Sequence, residues 1–298
     1  MLLAGPALLA QDVSAIKSSY ERQVRRVGPA GVGVETIIDR WEAADPDSPE
    51  MLQARFNYCL AKARSSSVVG MDSPKYLGQA PFLTLKDSTG RDVHYYEVDF
   101  YDDEIFGEGK KAIDRAISLA PEEFGYRVEK INSLILYEKD SPDMALQEIL
   151  NTINYHSSKH PSWTLRGEPM NSETFQQAIQ EYCYTFFRYG SPSSYEAFRV
   201  ISERMNKEFP KNTEFINNLG SYWLACQENP RKALKWYEKV LKITPDDYAA
   251  ARNCVVAARK EKNVRLEKKY LPVLINATSD EIERRGYEAR LDALNKKK

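Results

Sequence analysis

One spacing constrains this chain more than any other. Between Thr213 and Asp247 it sets Ile216, Leu219-Gly220 and Trp223 ahead of Ala233, Tyr237 and Pro245. Leu219 and Trp223 are four residues apart and share a helix face. Gly220 leaves a small spot beside them where a second helix can come close. Ala233 is the matching small residue on that second helix, and Tyr237 fills the space one turn later. Pro245 ends the helix, because proline disfavours helical geometry in the residue before it. The segment reads as a helix–turn–helix brick, which cannot bury its apolar face alone and needs neighbours of its own kind.

The neighbours are visible. Val128, Ile131, Ile135, Ala145 and Ile149 repeat the spacing of Ile216, Leu219, Trp223, Ala233 and Tyr237, and Pro142 precedes Ala145 as Pro230 precedes Ala233. Phe175, Ala178 and Tyr182 open a weaker unit that Ala197, Ile201 and Pro210 continue. Val13, Ile16 and Tyr20 lead to Ile38, Trp41 and Pro46. Leu52, Phe56 and Cys59 begin another first helix, whose partner contains Ala112, Ala116 and Leu119 and closes at Pro121. Asp247 to Lys262 is a further first helix with Asn253-Cys254 where Leu-Gly is wanted. Terminal repeats are atypical because they cap the stack. The charged segments Val264–Ile275 and Asp280–Lys298 read as capping helices.

These motifs resemble the tetratricopeptide repeat, most specifically over Thr213–Asp247. The turn Gln227-Glu228-Asn229-Pro230 is one residue longer than that family's spacing. The resemblance implies an all-α fold, an α-solenoid of helix hairpins whose first helices line a concave surface for peptides or protein segments. On this chain that surface would carry Glu214, Asn217, Ser221, Leu224 and Ala225, then Tyr248, Ala251, Arg252 and Val255. Some members clamp a terminal carboxylate with Lys and Asn. Asn217 and Ser221 stand at those positions, so a chaperone-tail adaptor is not implied.

One segment breaks the helical pattern. In Ser65–Asp103, Phe82-Leu83-Thr84-Leu85-Lys86 alternates, Asp87-Ser88-Thr89-Gly90 is a turn, and Asp92–Phe100 is rich in β-branched and aromatic residues. This predicts a β-hairpin inserted between the two helices of one repeat. An isolated hairpin is marginal in water and should lie against the helices. It is either a packed excursion or a wall of the groove. A second gap, Ser157–Met170, is too long for a repeat turn, and Trp163 within it is expected to anchor the loop in the core.

Met1 to Ala10 resembles the end of a secretory signal, with cleavage after Ala10. Export, to the periplasm if the source is bacterial, is the expectation, with a cytoplasmic location as the alternative. The expected organisation is a signal remnant at 1–10, repeat-like helices at 11–64, the β-hairpin at 65–103, repeats at 104–262 and capping helices at 263–298. No stretch reaches the 18 or so apolar residues of a membrane span.

The chemistry-bearing residues do not assemble into a catalytic set. Gly28-Pro29-Ala30-Gly31-Val32-Gly33 follows no strand and precedes no Lys-Ser/Thr, so it reads as an interhelical turn. Cys59, Cys183, Cys226 and Cys254 form no Cys-x-x-Cys pair and read as buried structural thiols. His156 and His160 lack further ligands nearby, and Asp99, Asp102, Asp103 and Glu104 lack calcium-loop spacing. Asp102 or Asp103 is expected to cap the next helix. With 42 basic and 43 acidic residues, the chain has no general attraction for nucleic acid. No catalytic residue, cofactor or metal is expected. The reading is a non-catalytic protein-interaction scaffold or adaptor in the cell envelope, with a protein or peptide partner on Glu214, Asn217, Ser221, Leu224, Tyr248 and Arg252. The alternative is a binder of a small ligand or glycan in an aromatic-lined groove beside the hairpin.

Overall fold

A computed structural model describes residues 6–296, with side-chain surroundings from 13 onward. The fold is all-α, a TPR-like series of helix hairpins. It forms two compact units, one running to Glu148 and including Ser158–Asn171, the other made of Ile149–Ser157 and Ser172 onward. Helix α6 (Asp143–Lys159) is divided between them.

In the first unit, α1 (Pro6–Val27) and α2 (Val34–Ala44) form a hairpin through the predicted glycine turn, with the Tyr20 and Trp41 rings 5.9 Å apart. Of the expected signal remnant, Met1–Gly5 lie outside the described residues, and Pro6–Ala10 are helical. The next pair is α3 (Pro49–Ala63) and α4 (Asp103–Leu119). Ser48 caps α3 by accepting from the Met51 N–H, with Pro49 in the first turn, where its missing donor costs nothing. Gly109 lets α4 approach α3: a β-carbon there would lie 2.8 Å from Cys59 Cβ. Ile113 and Ala116 complete that face beside Leu52 and Phe56, whereas Leu119 is exposed.

The excursion joins the facing ends of these two helices. It is larger than the expected hairpin. β1 (Arg64–Met71), β2 (Leu83–Lys86) and β3 (Asp92–Tyr101) form an antiparallel sheet in the order β1-β3-β2. β1 pairs with β3 from Arg64 opposite Tyr101 to Met71 opposite His94. The hairpin itself is β2–β3, from Leu83 opposite Tyr95 to Lys86 opposite Asp92. At its base the Asp102 N–H donates to the Ala63 carbonyl at 2.9 Å, and Asp102 caps α4 by accepting from Ile105 N–H. Tyr96 and Val98 are buried, and Tyr101 packs on Phe106 and Tyr137. Strand β3 is thus packed on the helices, while β1 and β2 are largely exposed.

Helix α5 (Phe124–Glu138) carries a buried charge network. Lys130 bonds Asp114 at 2.7 Å and also Glu148, and Arg127 lies 3.8 Å from Glu148. The second sequence gap folds into a short ladder, β4 (Thr164–Leu165) with β5 (Glu168–Pro169). Its turn has Arg166 and Gly167 at positive φ and is held by one carboxylate. Glu123 accepts from the Gly125, Arg166 and Gly167 N–H groups and from the Thr164 hydroxyl. Burial would raise that carboxyl; these donors outweigh it and hold it below its ordinary value. Trp163 is the buried anchor expected, its ring 5.3 Å from Phe124.

The second unit stacks α7 (Ser172–Tyr189), α8 (Pro192–Glu208), α9 (Thr213–Ser221), α10 (Pro230–Ile243), α11 (Tyr248–Lys260), α12 (Val264–Ala277) and α13 (Glu281–Lys296). Ala233, Tyr237 and Val240 of α10 meet Ile216 and Leu224 from the first helix, and the same core continues into Ala250, Cys254, Leu271 and Leu274. Glu267, only 2% exposed, ties the last three helices together through Arg259 and Arg290.

Candidate functional site

The surface to which the sequence points lies on the first helices of the second unit, α9 and α11. Glu214, Asn217 and Ser221 recur at three and four residues and therefore line one face of α9. Asn212 caps this helix by accepting from the Glu214 N–H. Glu214 is exposed and borders a cleft of about 350 Å³ between the starts of α7 and α9, whose other walls include Glu173, Gln176, Gln177 and Lys211.

Paired amides hold α7 beside α9. Gln180 and Asn218 exchange two hydrogen bonds, at 2.8 and 3.2 Å, and Asn212 donates to Gln176 at 2.9 Å. Asn217, next in the chain, is different. Its Oδ1 is buried and accepts no hydrogen bond among the described residues. Leaving such an acceptor unsatisfied costs on the order of 1–3 kcal/mol. Ser221 Oγ lies 3.3 Å from the Tyr237 hydroxyl and is only half-buried.

Beyond Ser221 the helix changes pitch. Tyr222–Cys226 is a π-turn, with Gln227 N–H donating to Tyr222 O at 3.0 Å and Asn229 N–H to Trp223 O at 2.7 Å. The residue in excess of the repeat spacing is therefore absorbed at the end of the helix. One extra residue in a turn rotates the downstream side chains by roughly 100°, from about 3.6 residues per α-turn. Leu224 consequently faces the core at 7% exposure, and its place on the expected binding face is corrected: its side chain is not offered to a partner. Trp223 is pushed partly outward, with the Lys232 ammonium 4.0 Å from its ring centre.

On α11, Arg252 is exposed and makes no hydrogen bond or ion pair among the described residues. Tyr248, one turn before it, is engaged: its hydroxyl donates to Glu283 of α13 at 2.8 Å. Ala251 and Val255, which the resemblance also placed on this face, are buried. Of the expected residues, Glu214 and Arg252 are exposed, while Asn217 and Ser221 are half-buried. The amide pairing between α7 and α9 escaped the sequence reading, although Gln176, Gln180, Asn212 and Asn218 are a visible run of amides.

Elsewhere, Cys59, Cys183 and Cys254 are buried, Cys226 is partly exposed, and all four are free thiols. His156 stacks on Phe175 with ring centres 4.1 Å apart, and His160 lies beyond the end of α6. Among the described residues no group of His, Cys, Asp and Glu has the arrangement of a metal site, and no helix is long and apolar enough to cross a membrane.

No protein-family model matches the chain, and no curated protein matches it in sequence. Among solved structures, it is similar to the flexible tandem repeat domain of a bacterial cellulose synthase component, over 99% of each chain, at 16% identity and a TM-score of 0.31. That superposition is too loose to carry a function across.

Proposed function

We propose that this chain is a non-catalytic protein-interaction scaffold or adaptor that binds a peptide or protein segment along the α9–α11 face of its second unit. The observation that supports it best is Asn217 Oδ1, a buried acceptor without a donor among the described residues, on the face where a repeat of this kind receives its partner. That atom is covered in the free chain, so a backbone N–H of an extended segment satisfies it once docking turns the amide outward. Arg252 on α11, without a hydrogen-bond or ion-pair partner among the described residues, offers a planar fork to a carboxylate or a carbonyl of the same segment. We assign the work to the bacterial cell envelope, on the resemblance of Met1–Ala10 to the end of a secretory signal.

The experiment is affinity isolation from the native envelope fraction with the parent chain, Asn217→Leu and Arg252→Ala, each shown by circular dichroism to be folded. One or a few proteins should be enriched by the parent and depleted about tenfold by each variant, as for loss of a buried hydrogen bond at Asn217 or of a charge-assisted contact at Arg252. Equal recovery by all three chains contradicts it. Turnover of a defined small molecule by the purified protein contradicts the non-catalytic part.

A further inference from the structure

The inserted sheet of the first unit ends unevenly. β1 accompanies β3 from His94 to Tyr101, but β2 leaves it at Leu83 opposite Tyr95. From Tyr96 to Tyr101 the β2 side of β3 carries no strand among the described residues. The Tyr95 carbonyl accepts from Phe82 N–H at 3.1 Å, so Tyr95 directs its backbone groups to the β2 side. Backbone direction alternates along a strand, so Glu97 and Asp99 turn their N–H and C=O groups to the same, unaccompanied side. Unpaired groups on a strand edge are a template for another chain.

A cleft of about 400 Å³ opens at this place, walled by Tyr76, Phe82 and Tyr96 and bordered by Arg64, Glu97 and Asp99. Its aromatic wall is built. Tyr96 is buried, its hydroxyl donates to the Ser73 carbonyl at 2.8 Å, and its ring lies 5.7 Å from that of Tyr76. Phe82, by contrast, is 62% exposed. The charges are unequally employed. Asp99 is held by Arg64 at 2.9 Å and by Ser66. Glu97 is exposed and makes no ion pair or side-chain hydrogen bond among the described residues.

We propose that this edge is a second binding site, which takes an extended peptide segment of alternating apolar and basic residues as a continuation of β2. The peptide backbone pairs with Glu97 and Asp99. Because successive side chains of a strand point to opposite faces, apolar residues enter the aromatic cleft beside Tyr96 while basic ones meet Glu97. The backbone edge supplies affinity and the two faces supply selectivity. The site lies in the other unit from the α9–α11 face and does not depend on it.

The test uses the full chain and an acetylated, amidated heptapeptide alternating lysine and valine between terminal threonines. Nitrogen–proton TROSY spectra should show the amides of Tyr96 to Asp99 shifting on titration. The same peptide N-methylated at all its central amides should shift none of them. Glu97→Lys, which changes an exposed side chain, should weaken the lysine peptide about tenfold or more and gain the matching glutamate–valine peptide, as a reversed charge pair requires. No shift at these amides with the lysine peptide overturns the proposal. So does equal binding of the N-methylated peptide. A soluble oligosaccharide such as maltohexaose that shifts these amides where the peptide does not would also overturn it, and would make the cleft a glycan site.

Discussion

The ring of Tyr237 occupies the space that a side chain at Gly220 would need. A β-carbon built on Gly220 lies 2.4 Å from Tyr237 Cε1, and Tyr237 is fully buried. At this point α9 meets α10 as a glycine against an aromatic ring. Gly220→Ala should lower stability by roughly 1–3 kcal/mol through overpacking, even though alanine is the better helix former by about 1 kcal/mol. Urea midpoints of Gly220→Ala, Tyr237→Leu and the double variant should reveal coupling, with the double variant losing less than the sum. Strict additivity would show that the two side chains do not compete for space.

The helix hairpins were legible because their contacts are written in small residues: Gly220 and Ala233 mark where two backbones meet, and both are buried as expected. The third strand was not. Arg64–Met71 is exposed along most of both faces, so burial imposes no two-residue alternation on it. The surplus residue of the best repeat was countable, but whether it entered the turn or the helix depends on tertiary packing, and that choice carried Leu224 into the core. The open edge at Glu97 depends on where β2 stops, which the alternation of Phe82–Lys86 does not reveal.

Glu267 should make the second unit acid-sensitive. Arg290 first, and then Arg259 against the cost of burial, hold its carboxyl below the ordinary value of 4.5. The folded state binds this proton less readily than the unfolded chain. The resulting stability is complete above the unfolded value and is lost as pH falls through the lower folded one. Thermal unfolding of Glu267→Gln should trail the parent by a constant interval from neutral pH to about 5, and the gap should narrow below that. A gap unchanged at pH 3 would refute the assignment.

The buried pair Lys130 and Glu148 should be costly to break from one side. Glu148→Ala takes a carboxylate from both Lys130 and Arg127 and should destabilise by roughly 3–5 kcal/mol, whereas Lys130→Met with Glu148→Leu relieves Lys130 and should recover part of it. Denaturant titration of these variants decides this, and a double variant weaker than Glu148→Ala would contradict it.

All four cysteines should count as free thiols in the denatured, unreduced protein, and in the native protein only Cys226 should be labelled. Burial pushes its thiol up to about 11, so even that reaction should be slow at neutral pH. Labelling with a maleimide followed by mass spectrometry checks both statements. Two or fewer free thiols on denaturation would reveal a disulfide.

The binding face of α9 and α11 is tested most directly by site-specific photo-crosslinking in native extract. If the two positions belong to one surface, as proposed, a benzophenone side chain at Ser221 or at Arg252 should capture the same protein. The same group at Lys235 or Lys239, exposed on α10, should capture little of it. Capture confined to Ser221 and Arg252 is the predicted result. Capture of that protein from α10 as efficiently as from Ser221 and Arg252 would contradict the account.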